Sequence, residues 1–342
     1  MVVATCARRC RPRRSLIHGV KSFDYRGDLM QKKDVYISGR TFSVAGRATD
    51  RYFSDFLQEG MPFSDPPIAF IEKYLSPGAT VLDVGANIGV VCCSADAVGA
   101  KTVHAFEASP SVFECLRQTV GENSLHSVII HNVALSDHEG VLSFVEDPDF
   151  LAGSRAANSS DAARFEVPCR TLDAIVGELD LGKIDLIKID VEGHERAVLN
   201  GAVRTLETHR PVCLIELNSY SLIFHNREVP QEFLEFLTGI FPRLFVFNRR
   251  TGSIDEIFDI GAFLQQHLLS GLIDDLIGAF GDLPPASDWF KSHSAELIEQ
   301  SDLSQIGVAQ AGRQLVEALG RRALADAAKI KKKLRISWSR RK

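Results

Sequence analysis

No uninterrupted apolar run in this chain reaches the roughly eighteen residues that a membrane-crossing helix requires. The basic start also lacks the apolar block of a secretory signal. Cysteine is sparse and odd in number, seven in all, and most of these thiols fall in apolar stretches where they act as small hydrophobes. That usage excludes a disulfide framework and points to a reducing, cytoplasmic setting. Cys6 and Cys10 make half of a zinc site, but no second pair follows at ligand spacing. Acid is absent from residues 1–23, which carry +6, and scarce in residues 313–342, which carry +9. The total is −5, so residues 24–312 hold −20, a body that repels a polyphosphate backbone. No nucleic acid is expected as substrate. The acid-free, Arg-rich start also suits an organelle-targeting arm, although it contains few hydroxyl residues.

What is present divides into five stretches. Residues 1–23 are a basic arm. Residues 24–79 form a lead-in or lid, with short strand-like pieces at Val35–Ile37 and Thr41–Val44 and a helix over Pro66–Leu75, closed by the turn signal Ser76-Pro-Gly. From Thr80 the pattern alternates between strand and helix, with strands at Thr80–Val84, Lys101–Phe106 and Val128–His131 and helices near Ile88–Val98 and Ser111–Glu122. Such alternation argues for a parallel sheet. A hairpin-like section, Val141–Glu146 and Phe165–Pro168, encloses a loop over 147–163 expected near a site mouth. Strands at Ile184–Ile189, Val212–Glu216, Leu244–Phe247 and Ser253–Phe258 complete the sheet. Residues 259–328 read as a helical extension, with amphipathic stretches at Ile260–Phe280 and Ala295–Ala328, and 329–342 as a basic tail.

Two clusters carry chemistry. In Val81-Leu-Asp-Val-Gly-Ala-Asn-Ile-Gly a buried strand breaks into a turn whose Gly85 and Gly89 let the backbone approach a ligand, before a helix that presents its N-terminus. Glu107 follows Asp83 by twenty-four residues, at the end of the next strand, where an acid accepts hydrogen bonds from the ribose hydroxyls of an adenosine cofactor. The spacing D-x-G-x-N-x-G lacks the three glycines that cradle a diphosphate, so it suits an amino-acid-bearing cofactor and disfavours an NAD-linked oxidoreductase. Asp83 is placed to influence that cofactor's ammonium through water or the turn backbone.

The second cluster is Lys188-Ile-Asp-Val-Glu-Gly-His-Glu, where a buried strand delivers Asp190 and Glu192 to its carboxyl end. Paired carboxylates there are costly without a proton, a cation or a donor to engage. Glu195 reads as an acid complementing a helix dipole. Glu216 and Asn218 should lie beside Asp190 if their strands are neighbours.

These segments resemble the FkbM family of S-adenosylmethionine-dependent methyltransferases. The resemblance runs from about Phe53 to Asn248 through the D-x-G-A-N-x-G turn, Asn132-Val-Ala-Leu-Ser-Asp, Arg170-Thr-Leu-Asp, the Ile184–Glu195 segment and Val198-Leu-Asn-Gly-Ala. It implies a Rossmann-like class I methyltransferase fold, α/β, with a mostly parallel seven-stranded sheet over residues 80–258. It implies S-adenosyl-L-methionine as cofactor, with Asp83, Gly85, Ala86, Asn87 and Gly89 at the methionine end. Glu107 and Ala108 would hold the ribose, and Ala134, Leu135, Ser136 and Asp137 would border the adenine. The expected reaction is O-methylation of a hydroxyl or carboxyl on a small molecule, glycan or natural product. Its proton needs a base, for which Asp190, Glu192 and His194 are candidates, or a metal. An Mg²⁺ site of Asp190, Glu216 and Asn218 would resemble that of catechol-type O-methyltransferases in outline. A methyltransferase-like binding module without catalysis is the competing reading, and the intact turn with Glu107 and Asp190 argues against it. The basic tail, with Leu334, Ile336 and Trp338 interleaved among its cations, is expected to contact an anionic membrane surface.

Overall fold

The computed structural model describes residues 29–291, apart from 148–149, 159–160, 162–163, 180, 249–251 and 289. The basic arm, the extension beyond 291 and the basic tail lie outside the described residues. The first element is an antiparallel hairpin of Met30–Ile37 (β1) and Arg40–Arg47 (β2), whose Val35, Ile37, Phe42 and Val44 enter the main core. A π-helical turn at Tyr52–Phe56 follows, and the Lys33 ammonium donates to its carbonyls at Phe53 and Ser54 and to that of Leu57, at 2.7, 3.0 and 2.7 Å. The stretch expected as a lead-in or lid is a roof tied to the body where Ser43 N–H donates to Asn123 Oδ1 at 2.8 Å and Ala45 N–H to Thr119 Oγ1 at 3.0 Å. Pro66–Tyr74 (α1) starts where Asp65 accepts the Ile68 N–H, with proline at the first helical position.

Thr80–Val84 (β3), Val90–Val98 (α2), Thr102–Phe106 (β4), Pro110–Glu122 (α3) and Val128–His131 (β5) build the first half of the central sheet. A smaller sheet then forms from Ala134–Leu135 (β6), Gly140–Val145 (β7), Arg155–Ala156 (β8) and Phe165–Arg170 (β9), in the order β6-β9-β7-β8. Leu172–Leu179 (α4) leads to Leu186–Ile189 (β10), and Glu195–Asn200 (α5) and Val203–His209 (α6) lead to Val212–Asn218 (β11). The single turn Ser219–Ser221 (α7), Pro230–Ile240 (α8), Arg243–Phe247 (β12), Ile254–Glu256 (β13), Ile260–Ser270 (α9) and Ile273–Ala279 (β14) complete the described chain.

The central sheet has the order β13-β12-β14-β11-β10-β3-β4-β5. Pairing is parallel from β5 across to β11, and β14 is inserted antiparallel between β11 and β12. Strand order reverses between β3 and β10, so a crevice opens at their carboxyl ends, the place where open α/β sheets bind ligands. Apolar residues cover both sheet faces. Val81, Leu186 and Leu214 join the core under α1, α2 and α3, while Leu82, Ile187 and Ile215 join the one under α5, α6 and α8.

The Rossmann-like α/β architecture expected from the sequence is present, with two corrections. The sheet has eight strands instead of seven: the expected edge strand near Ser253–Phe258 forms as the short β13, and the unexpected strand is β14, beyond residue 258. The stretch Ile260–Phe280 is not one amphipathic helix: α9 stops at Ser270, Gly271 takes φ 134°, and the chain returns as β14 through the middle of the sheet. A glycine past a helix end is a stop signal, and the apolar spacing beyond it belongs to a buried strand.

Candidate active site

Period two along four strands gathers the charges. Asp83 on β3 lies in register with Lys188 on β10, and Glu216 on β11 lies in register with Asp275 on β14. These residues share one sheet face, where Lys188, Glu216 and Asp275 line the crevice. The Lys188 ammonium donates to the Gly85 carbonyl at 2.7 Å and stands 3.6 Å from Asp83 and 3.4 Å from Asp190. Burial works against its charge, yet Asp190 and Asp83 outweigh that and raise its pKa. The crevice has a volume of about 360 Å³ and is walled by residues of β3, β4, β10, β11 and β14, the roof and the 150–156 segment.

At one end of the crevice the turn after β3 is bonded to the turn after β4. Gly85 and Ala86 both donate to the Phe106 carbonyl at 3.0 Å, and Asn87 donates its N–H to Glu107 at 2.9 Å. Ser109 N–H supplies the other Glu107 oxygen at 2.8 Å. Burial pushes the Glu107 carboxyl up to about 7, against the pull of those two N–H groups. Asn87 sits in the left-handed region at φ 50°, and its buried Oδ1 has no hydrogen-bond partner. An acceptor oxygen at Asn87 and a carboxylate at Glu107, both on the wall of one crevice, fit the ammonium and ribose hydroxyls of S-adenosylmethionine.

Of the cofactor residues expected from sequence, Gly85, Ala86, Asn87, Glu107, Ala108, Ala134 and Leu135 line the crevice. Asp83, Gly89, Ser136 and Asp137 do not. Asp83 is fully buried beneath the turn, where it accepts from Cys92 at 3.5 Å and faces Lys188. Gly89 serves packing: a Cβ there would stand 2.8 Å from Leu116 of α3. Ser136 is fully buried against His194, Oγ to Nε2 at 2.9 Å, and Asp137 turns outward to pair with His138 at 2.9 Å. Gly85 also answers to the chain rather than to a ligand. At φ 79° its Cβ would fall 1.8 Å from the Asp190 carbonyl oxygen, so β3 and β10 close on each other only through glycine.

At the other end Asp190, Glu192 and Glu216 bring carboxylate oxygens within 4.8 Å of one another. Glu192, at φ 53°, accepts from Ser221 Oγ at 2.7 Å and from Asn218 Nδ2 at 3.2 Å. Burial, then Asp190, raise its pKa to about 8. Burial, then Asp190 and Glu192, lift Glu216 well above the usual range, and its buried Oε2 has no partner. Asn218 spends its amide on Glu192 and its Oδ1 on the Ser221 N–H at 3.1 Å. The oxygen set able to hold a cation is therefore Asp190, Glu192 and Glu216, in place of the expected Asp190, Glu216 and Asn218. His194 lines the crevice, but its Nε2 is engaged by Ser136 and burial lowers its pKa, which leaves it a weaker base than Glu192 or Glu216. Glu195 opens α5, but its carboxyl reaches back into the preceding turn, accepting from Val191 and Gly193 N–H at 3.1 Å each, so it braces the 191–193 turn.

Sequence reading missed Asp275, because β14 was read as helix. It also missed the aromatic roof and rim of Tyr52, Phe56, Phe63, Phe150 and Tyr220. The 147–163 loop does reach the mouth, as expected, through Asp147 and residues 150–156, and Arg155 there is held by a two-fold bond to Asp161 at 2.8 Å. The remaining motif residues brace the site. Asn132 donates to the Glu107 carbonyl at 2.9 Å, and Asp173 accepts from the N–H groups of Arg204 and Thr205 at the start of α6.

Residues 83–239 match the family model described as the methyltransferase FkbM domain. The hexuronic acid methyltransferase AglP of Haloferax volcanii is 30% identical over 126 residues, which is 37% of this chain and 51% of that protein. The 31-O-demethyl-FK506 methyltransferase FkbM of Streptomyces tacrolimicus is 32% identical over 158 residues, 37% of this chain and 60% of that protein. The chain thus spans between half and two thirds of the length of these relatives. A crystal structure of a methyltransferase FkbM from Methylobacillus flagellatus aligns with 60% of this chain and 44% of its own, at 16% identity and a TM-score of 0.38.

Proposed function

We propose, from the match of residues 83–239 to the methyltransferase FkbM domain, that the chain is an S-adenosylmethionine-dependent O-methyltransferase acting on a small molecule or glycan. The observation that supports this reading is one crevice with two unlike ends, Asn87 and Glu107 at one and the carboxylates Asp190, Glu192 and Glu216 at the other. When bound, S-adenosylmethionine supplies an electrophilic methyl group and its own leaving group. The protein's tasks are then to orient an oxygen for in-line attack and to accept its proton. Glu192 suits the second task. Its raised pKa makes it a stronger proton acceptor than an ordinary glutamate, and Ser221 and Asn218 hold it in place. Asp190 stands beside it and steadies Lys188, which in turn braces the Gly85 carbonyl. The aromatic rim offers flat apolar surface to a sugar ring or polyketide. The names of the two relatives, one for a hexuronic acid and one for 31-O-demethyl-FK506, favour an acceptor of that class.

A second reading places a divalent cation among Asp190, Glu192 and Glu216, favoured by their 4.8 Å grouping, with the cation lowering the acceptor's pKa. Calorimetric titration with S-adenosylmethionine and with NAD, each alone, tests the first step, and heat from NAD only would overturn the reading. A screen of glycans and hydroxylated natural products then identifies the acceptor. Activity abolished by EDTA and restored by Mg²⁺ supports the cation, while indifference to EDTA leaves the carboxylate as base.

A further inference from the structure

Behind the acid cluster, on the side away from the crevice wall, lies a second set of polar groups that the proposed chemistry does not use. Ser219 Oγ meets His267 Nε2 at 2.7 Å, and His267 Nδ1 meets Asp274 Oδ2 at 2.6 Å. The sequence Ser, His, Asp with these contacts has the form of a hydrolytic triad. Its serine and histidine, however, have no solvent-accessible surface, and neither residue lines the crevice, although Asn218, Tyr220 and Ser221 on either side of Ser219 do. No acyl group can reach that hydroxyl, so the set is not a nucleophile.

Its position gives it another use. Ser219 begins the turn α7, His267 lies on α9, and Asp274 lies on β14, so the three side chains join three elements that are otherwise linked there by backbone bonds such as Ser219 N–H to the Leu272 carbonyl at 2.9 Å. The turn they hold carries both donors of Glu192. Asn218 Oδ1 accepts the Ser221 N–H, and Asn218 Nδ2 and Ser221 Oγ then converge on one Glu192 oxygen. A buried hydrogen-bonded network of this kind loses more than one bond when a member is removed, because the remaining polar groups are left unsatisfied.

We infer that Ser219, His267 and Asp274 form a positioning unit that fixes the 218–221 turn and so aims Glu192 into the crevice. The inference rests on the proposed role of Glu192 as proton acceptor. None of the three touches acceptor or cofactor, so the effect should fall on the rate of transfer and leave binding alone.

The test compares the full chain with His267→Leu, His267→Gln and Asp274→Asn, measuring transfer of labelled methyl from S-adenosylmethionine to the acceptor returned by the screen, and cofactor binding by calorimetry. His267→Leu is expected to lower kcat about tenfold or more, with KM for the acceptor and Kd for S-adenosylmethionine within about twofold. His267→Gln, which can still bond to Ser219, should recover most of the loss, and Asp274→Asn, of equal size to aspartate, should fall between them. If His267→Leu fails to fold, the split between kcat and KM in Asp274→Asn carries the test. A folded His267→Leu with unchanged kcat would overturn the inference, as would a loss of cofactor affinity parallel to the loss of rate. A wild-type chain that binds no S-adenosylmethionine, or methylates no acceptor, would overturn the proposed function and this inference with it.

Discussion

At the scale of single residues, the two ends of the crevice make separable demands. Glu107 accepts two backbone N–H groups and lines the crevice, so Glu107→Ala removes the proposed ribose contact and strands Asn87 N–H and Ser109 N–H. Calorimetry should show S-adenosylmethionine affinity weakened by about 1–3 kcal/mol, the range for hydrogen bonds to a charged group. Unchanged affinity in a folded variant would remove Glu107 from the binding role. Asp190→Asn keeps size and loses charge. Its cost should fall on turnover, with kcat down about a hundredfold and cofactor affinity little altered, since Asp190 stands with Glu192 and Glu216 at the far end. Near-normal kcat would return Asp190 to a structural role as partner of Lys188.

At the scale of elements, close approach and strand insertion decide stability. Gly85→Ala combines a positive φ with a Cβ 1.8 Å from the Asp190 carbonyl, so β3 and β10 must separate to admit a single methyl group. Denaturant unfolding should register a loss of about 2 kcal/mol or more, and a loss below the error of the measurement would show that the turn yields freely. β14 bonds to β11 along one edge and to β12 along the other, and its Leu276 and Ile277 are fully buried. A chain ending at Ser270 should therefore lose its cooperative thermal transition in circular dichroism, because β11 and β12 would face each other across an empty strand position. A sharp melt in that shortened chain would contradict the place assigned to β14.

For the whole molecule, the buried acids set a pH dependence of stability. Glu72, Glu107 and Glu195 are each raised by burial to about 7, and Glu192 to about 8, so the folded state holds their protons more tightly than the unfolded state does. Their contribution is full below the ordinary glutamate value of 4.5 and is lost as pH rises through 7 to 8. His104 and His131 act in the opposite sense. Burial lowers both, His131 to about 4, so their contribution is present above the ordinary 6.5 and lost as pH falls. Above pH 6.5 those two histidines no longer oppose the raised carboxylates, and the Tm of the cofactor-free protein should fall between about pH 6.5 and 8. Glu192→Gln should flatten the upper part of that fall. A Tm that rises over the interval would mean that the acid cluster is neutralised by something other than protons.

Local signals were sufficient for much of this molecule. Thr80–Val84 and Val128–His131 form the strands expected, and the turn from Gly85 to Gly89, Glu107 and the Asp190–Glu192 pair were each visible as residue types in a pattern that strand and helix periods impose. Periodicity also put Lys188 and Asp190 on one face, and the tertiary structure sets them 3.4 Å apart. What the chain's order could not state was which distant strands become neighbours. The insertion of β14 between β11 and β12 brings Asp275 to Glu216, and a buried strand next to a glycine reads much like the end of an amphipathic helix. Side-chain direction was likewise undecided in the sequence. Ser136, Asp137 and Gly89 sit in the expected stretches, yet packing against His194, solvent and Leu116 claims them, while Tyr52 and Phe56 come from far upstream to roof the crevice. Local periods are properties of a few consecutive residues, and the composition of a site is a property of contacts that only the closed sheet and its packed faces create.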